Sequence, residues 1–138
     1  NMSSELVWAI VRNNNSFLVK RAGAQFSTEP NNLANKNTFK YSGIANAKTV
    51  GIKAAPRGIE VSTTKANTAS PAKRVNKTVI SKGRRHTAKS VANIVARSGY
   101  RADLRAMALA RASAVLSSQQ PVKEKNLRNK GVRASKRA

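Results

Sequence analysis

Short apolar pieces alternate with polar ones along the first half of this chain, and in the second half the spacing of apolar positions lengthens from that of strands to that of helices. Residues 6–11 are apolar without a break, which by itself fits a buried strand or a short helix. Ser3 or Ser4 as a cap and Glu5 in the first turn favour the helix, stacking Leu6 on Ile10 and Val7 on Val11 with Trp8 as a core anchor. Asn13, Asn14 and Asn15 end it. Residues 17–20 have strand composition, Ala22-Gly23-Ala24 can turn, and residues 25–27 can return, which predicts a hairpin. Pro30 stops the returning strand. Phe39 and Tyr41 alternate with Lys40, predicting a strand over residues 38–41 with a core side and a partner side. Residues 49–53 and 58–64 flank Ala54-Ala55-Pro56-Arg57 and predict a second hairpin with Val50, Ile52, Ile59 and Val61 on one face. A loop over residues 65–74, containing Pro71, leads to a short strand over 75–80. The expected core of this half is Phe17, Phe39, Tyr41, Val50, Ile52, Ile59 and Val61, with Trp8 against them.

Beyond residue 86 the pattern is helical. With Thr87 as cap, Ala88, Val91, Ile94, Val95 and Ser98 fall at helical spacing, and Gly99 ends the element. A second helix is predicted over 101–118, with Asp103 in its first turn, an apolar side of Leu104, Met107, Ala108, Val115 and Leu116, and a smooth side of Ala102, Ala106, Ala110 and Ser113. Pro121 closes it. The fold class is therefore α+β: one small mixed domain with a short N-terminal helix, antiparallel hairpins, two C-terminal helices and a basic extended tail. Its expected parts are a mainly β domain at 1–82, a two-helix region packed on it at 83–120, and the tail at 121–138.

Residues 26–52, FSTEPNNLANKNTFKYSGIANAKTVGI, stand apart. Asn31, Asn32, Asn35, Asn37 and Asn46 surround the apolar positions there, and asparagine caps helices, closes turns and bonds backbone or base edges. This stretch reads as an ordered, irregular connection. It is either a polar surface loop or a loop whose amides and lysines lie against an anionic partner.

Charge changes the picture more than any motif. The 138 residues carry 27 Lys plus Arg against 5 Asp plus Glu, a net charge of +22. Self-repulsion at that density is relieved by a polyanion, and nucleic acid fits better than a membrane surface, because there is no long apolar run and no basic amphipathic helix with a strongly apolar face. No acid stands between Val61 and Ala102. Candidate nucleic-acid contacts are Lys36, Lys40 and Lys48 in the asparagine-rich stretch, Lys73, Arg74, Lys77, Lys82, Arg84, Arg85 and Lys89 beyond it, and Arg97, Arg101, Arg105 and Arg111 on the two helices. Lys123, Lys125, Arg128, Lys130, Arg133, Lys136 and Arg137 stand in the tail against Glu124 alone, and a tail of this composition is expected to be disordered in water. Of the helical arginines, Arg84, Arg85, Lys89, Arg97, Arg101, Arg105 and Arg111 are the expected main rigid contacts together with that lysine. Such groups suit phosphate, which positions a protein without reading base sequence.

Catalysis is not expected. Cysteine is absent, which removes disulfides, thiol nucleophiles and zinc fingers. The single histidine, His86, sits beside Arg84 and Arg85 without a partner for base or metal work, and no carboxylate pair or glycine-rich phosphate loop is present. Neither a metal, a cofactor nor a small-molecule substrate is implied. Asn14-Asn15-Ser16 and Asn76-Lys77-Thr78 match the glycosylation pattern, but no secretory signal precedes them and a cytosolic or nuclear compartment is expected.

FSTEPNNL, NTFKYSG and KTVGI in the first half and YRADLRAMALARASAVLSSQ in the second resemble the eukaryote-specific family twenty-eight of large-subunit ribosomal proteins, in consistent order from about Leu6 to Pro121. The resemblance implies a cytosolic ribosomal protein, assembled by way of the nucleolus, that packs on large-subunit ribosomal RNA beside neighbouring ribosomal proteins. Ala102 departs from it, since proline is expected there, and the tail matches weakly. A nucleolar ribosome-assembly factor with a related N-terminal domain is the alternative, but that family carries a cysteine cluster in the region of residues 31–47 and an acidic C-terminal extension, and both are missing here. A lysine-rich chromatin or DNA-binding protein is the alternative of another class. It is less well served by mixed strands and asparagine loops, and no sharp DNA-reading motif is present. An enzyme acting on RNA is the third.

Overall fold

Ser3 Oγ accepts the Leu6 N–H at 3.2 Å and Glu5 lies in the first turn, so the unbroken apolar run folds as helix α1 (Ser4–Val11) in the computed structural model, which describes residues 2–65 and 70–122. Asn15 closes it by donating from Nδ2 to Val11 O at 2.8 Å, and starts the next element by accepting the Phe17 N–H at 2.9 Å. Strands β1 (Leu18–Arg21) and β2 (Ala24–Ser27) pair antiparallel as predicted, with Arg21 opposite Ala24. Their two-residue turn has positive φ at both Ala22 (46°) and Gly23 (76°), the conformation that suits the twist of a hairpin.

A second, three-stranded antiparallel sheet runs β3 (Val50–Ala54), β4 (Ile59–Thr64) and β5 (Val75–Ile80) in that order. Its register sets Ile52 against Val61 and Ile59 against Ile80, and these side chains are buried with Val50. Helix α2 (Arg84–Ala92), continued by a π turn over Asn93–Arg97, packs on α3 (Arg105–Ser118), and α3 packs on β3 and β4. Val91, Val95, Leu104, Ala108 and Ala112 join the strand residues and Leu33 in one cluster. Each large aliphatic side chain fully buried there contributes about 1.5–3 kcal/mol.

Two side chains fasten the helices to the sheet at its opposite ends. Tyr100 Oη accepts the Thr64 N–H at 2.9 Å and lies 2.6 Å from Thr64 O and 3.1 Å from Thr49 O, joining the ends of β3 and β4. Burial holds this hydroxyl above its ordinary pKa, although its backbone hydrogen bonds pull the other way. Gln119, just past α3, donates from Nε2 to Ala55 O at 3.1 Å and Gly58 O at 2.8 Å, tying down the β3–β4 turn.

The structure corrects four expectations. Residues 38–41 form turns rather than a strand, because the Asn46 amide donates to Phe39 O at 2.7 Å and Ser42 O at 2.8 Å, occupying carbonyls on either side of Lys40 and Tyr41. Phe39 is accordingly 37% exposed, with its ring 6.0 Å from that of Trp8, while Phe17, Tyr41 and Trp8 are only half-buried. Of the expected core, Val50, Ile52, Ile59 and Val61 are the fully buried members. Thr87 is not a cap: α2 starts three residues earlier behind Gly83, and Thr87 is buried inside it with Oγ1 donating to Lys82 O at 2.9 Å. The last helix is entered through a 3-10 turn, Ala102–Leu104, that carries Asp103.

Candidate nucleic-acid interface

The asparagine-rich stretch is built from its own amides. Glu29 is 7% exposed, and its Oε1 accepts from Asn32 Nδ2 at 2.9 Å and from the Gly43 N–H at 3.2 Å. Asn32 Nδ2 also reaches Lys36 O at 2.9 Å, and Asn37 Nδ2 reaches Arg12 O at 2.9 Å and Gln25 Oε1 at 3.0 Å. Asn31, in the left-handed region at φ 63°, donates to Thr49 Oγ1 and accepts from Ser62 Oγ at 2.9 Å. This contact ties the loop to β4 and to the start of β3. It needs a glycine at Gly51, where a Cβ would run into Asn31 Oδ1 and Ser62 Oγ. The amides therefore hold the protein to itself, and the lysines are what the loop presents: Lys36, Lys40 and Lys48 are exposed. Lys40 Nζ stands 5.6 Å from the centre of the Tyr41 ring and Lys48 Nζ 5.8 Å from that of Tyr100, which limits their freedom at little energetic gain.

Arg101 joins this loop to the helices. Its Nε donates to Asp103 Oδ1 at 2.9 Å, Nη2 to Asp103 Oδ2 at 2.8 Å and to Lys40 O at 2.9 Å, and Nη1 to Lys48 O at 2.9 Å. Four of the five guanidinium N–H donors are thus occupied within the protein. The hydrogen bonds from Arg101 hold the Asp103 carboxyl below its ordinary pKa. Arg111 is also half-buried, in a groove beside the first hairpin, where the Asn35 amide, turned with its oxygen toward the helix, accepts from Arg111 Nη1 at 3.2 Å.

Arg84, Arg85, Lys89, Arg97 and Arg105 are exposed on the helical pair, as are Lys73, Arg74, Lys77 and Lys82 before it. Arg84 Nη2 donates to Ser117 Oγ at 2.8 Å, which brings the start of α2 to the end of α3. Lys77 Nζ lies 3.6 Å from Glu60 Oε1. That contact and the Arg101–Asp103 pair are the two ion pairs among the described residues. The first turn of α2 holds Arg84 and Arg85 with no acid, placing two cations at the positive end of the helix dipole. An anion docked there relieves that repulsion. Lys123, Lys125, Arg128, Lys130, Arg133, Lys136 and Arg137, with the rest of the tail, lie outside the described residues.

Sequence reasoning missed the buried Glu29–Asn32 scaffold and the anchoring role of Tyr100. Glu29 did leave a signal, being a lone acid among residues 6–59 and set two positions before an Asn pair. Among the described residues no group of three or more His, Cys, Asp or Glu is placed to hold a metal, and no helix is long and apolar enough to cross a membrane.

The model of the Ribosomal L28e protein family matches residues 6–118, from α1 to the end of α3. The chain belongs to this family. Its L28e span takes in both sheets and both C-terminal helices, so the scaffold that carries the exposed arginines lies wholly within it. The chain is 46% identical over 129 residues to the "Large ribosomal subunit protein eL28" of Schizosaccharomyces pombe, covering 88% of this chain and 96% of that one. It is 38% identical to the proteins of the same name in Dictyostelium discoideum, over 89% of this chain and 93% of the other, and in Caenorhabditis elegans, over 86% and 91%.

Proposed function

We propose that the chain is a structural constituent of the large ribosomal subunit, working by binding rather than by catalysis, and that it fixes ribosomal RNA and neighbouring ribosomal proteins in the cytoplasmic ribosome after assembly in the nucleolus. The observation that carries this reading is a net charge of +22 on a chain whose described residues form two ion pairs. Arg84, Arg85, Lys89, Arg97 and Arg105 stand exposed on two packed helices, so little backbone freedom is lost when they meet phosphate, and the guanidinium forks engage it bidentately. Lys36, Lys40 and Lys48 add a second contact area on the asparagine-built loop, and the tail cations a third. Arg101 serves differently. It holds the loop carbonyls to the helix, and the RNA contact it offers is its charge rather than a free fork.

Each phosphate neutralised releases counterions, so log affinity falls against log salt with a slope of about −0.9 per contact on a duplex-like site. Replacing Arg84, Arg85 and Arg105 together by Gln is expected to weaken binding to large-subunit RNA and to reduce that slope by up to about three, with helix content by circular dichroism unchanged. Filter binding over a salt series reads both. Normal affinity and slope in the triple variant would reject the helical pair as an RNA contact.

A further inference from the structure

Between α2 and α3 a cleft of about 320 Å³ opens to solvent. It exists because small residues face one another there: Ala88 on α2 and Ala112 on α3 leave the helices close but the space between their outer edges unfilled. Leu109 and Leu116, both half-buried, wall it, and Arg84 and Arg85 line it from the first turn of α2. Its volume falls within the roughly 300–1,000 Å³ range of small-ligand sites. Arg84 is already positioned at the cleft by its bond to Ser117 Oγ at 2.8 Å.

The lining decides what fits. A phosphate backbone running past would meet the arginines and leave the apolar walls wet. An apolar side chain from a neighbouring protein would fill the walls and leave two guanidinium groups without an anion. A single unstacked nucleotide does both, since its base is a flat, largely apolar body and its phosphate is a bidentate acceptor. We propose that this cleft receives one splayed-out nucleotide of ribosomal RNA, with its base against the α3 wall of Leu109 and Leu116 and its phosphate on Arg84 and Arg85. The inference rests on the RNA-binding reading above and adds to it a discrete pocket that holds a base.

Ser113→Leu and Ala88→Leu each plug the cleft and leave every arginine in place; Ser113 is exposed, and leucine is the stronger helix former. Large subunits carrying the unchanged chain or either variant are irradiated with ultraviolet light, and nucleotide adducts are mapped to peptides. An adduct is expected on the α2 or α3 segment lining the cleft of the unchanged chain, falling about tenfold in the plugged chains. Subunit occupancy and salt slope are expected to hold in both variants, and the thermal midpoint in Ser113→Leu. An adduct that persists in plugged chains, no adduct on these segments in the unchanged chain, or a protein cross-link in its place each overturns the proposal. Those outcomes leave the RNA-binding reading standing, which fails separately if the triple arginine variant keeps its slope.

Discussion

Arg101 shows how a single residue type divides between architecture and binding on one helical pair. With four guanidinium donors taken by Asp103, Lys40 O and Lys48 O, its loss removes four charge-assisted hydrogen bonds that tie the loop to the helical pair, made by a side chain that is itself only 16% exposed. Arg101→Ala is therefore expected to lower unfolding stability by about 1.5–3 kcal/mol, the range for hydrogen bonds to charged groups, while moving the RNA salt slope less than Arg105→Ala does. Urea unfolding and filter binding read the two effects separately. The Asp103 side of the clamp has its own signature. Because its folded pKa lies below the ordinary 3.8, the contact adds stability that is fully present above that value and is lost as pH falls through the folded pKa. In Asp103→Asn that acid-limb loss is expected to disappear, by about 1 kcal/mol or less because the carboxylate is 45% exposed. Urea midpoints measured from neutrality down to below pH 3.8 test it.

At the scale of elements, alternation was legible only where a partner strand completed it. Val50, Ile52, Ile59 and Val61 read as one face because two strands of matching period flank a Pro–Arg–Gly turn, and they form that face. The same alternation at Phe39 and Tyr41 misled, since the Asn46 amide takes the carbonyls around it, and nothing in a hydrophobic pattern marks a side chain that competes with strand pairing. Thr87 misled for a related reason: threonine caps from outside a helix but equally bonds a carbonyl from within it, and burial decided the matter. The difference is measurable. Phe39→Ala is expected to cost about 1 kcal/mol, the centre of the range for point substitutions, whereas Ile59→Ala costs about 2–5 kcal/mol. Equal urea midpoints for the two variants would contradict this division of the core. In the first hairpin, Ala22 at φ 46° occupies a conformation that asparagine adopts more readily, so Ala22→Asn is expected to raise stability by about 0.5–1 kcal/mol. Thermal unfolding of the full chain checks the sign.

For the molecule as a whole, the sequence was most informative where it was least structural. The charge imbalance named the partner class without any fold, and the motif-level likeness named the family, whereas the assignment of individual cations needed coordinates to separate Arg101 and Arg111 from their exposed neighbours. A small α+β scaffold with cations on its helices and loop is a standing part of the large ribosomal subunit. Sedimentation of the tagged full chain through a gradient of cell extract tests it most directly. Co-migration with large subunits and translating ribosomes, with release into the light fractions after nuclease digestion of the RNA, is the expected result. A chain found instead with chromatin, confined to nucleolar precursor particles, or free of ribosomes at low salt would contradict the account.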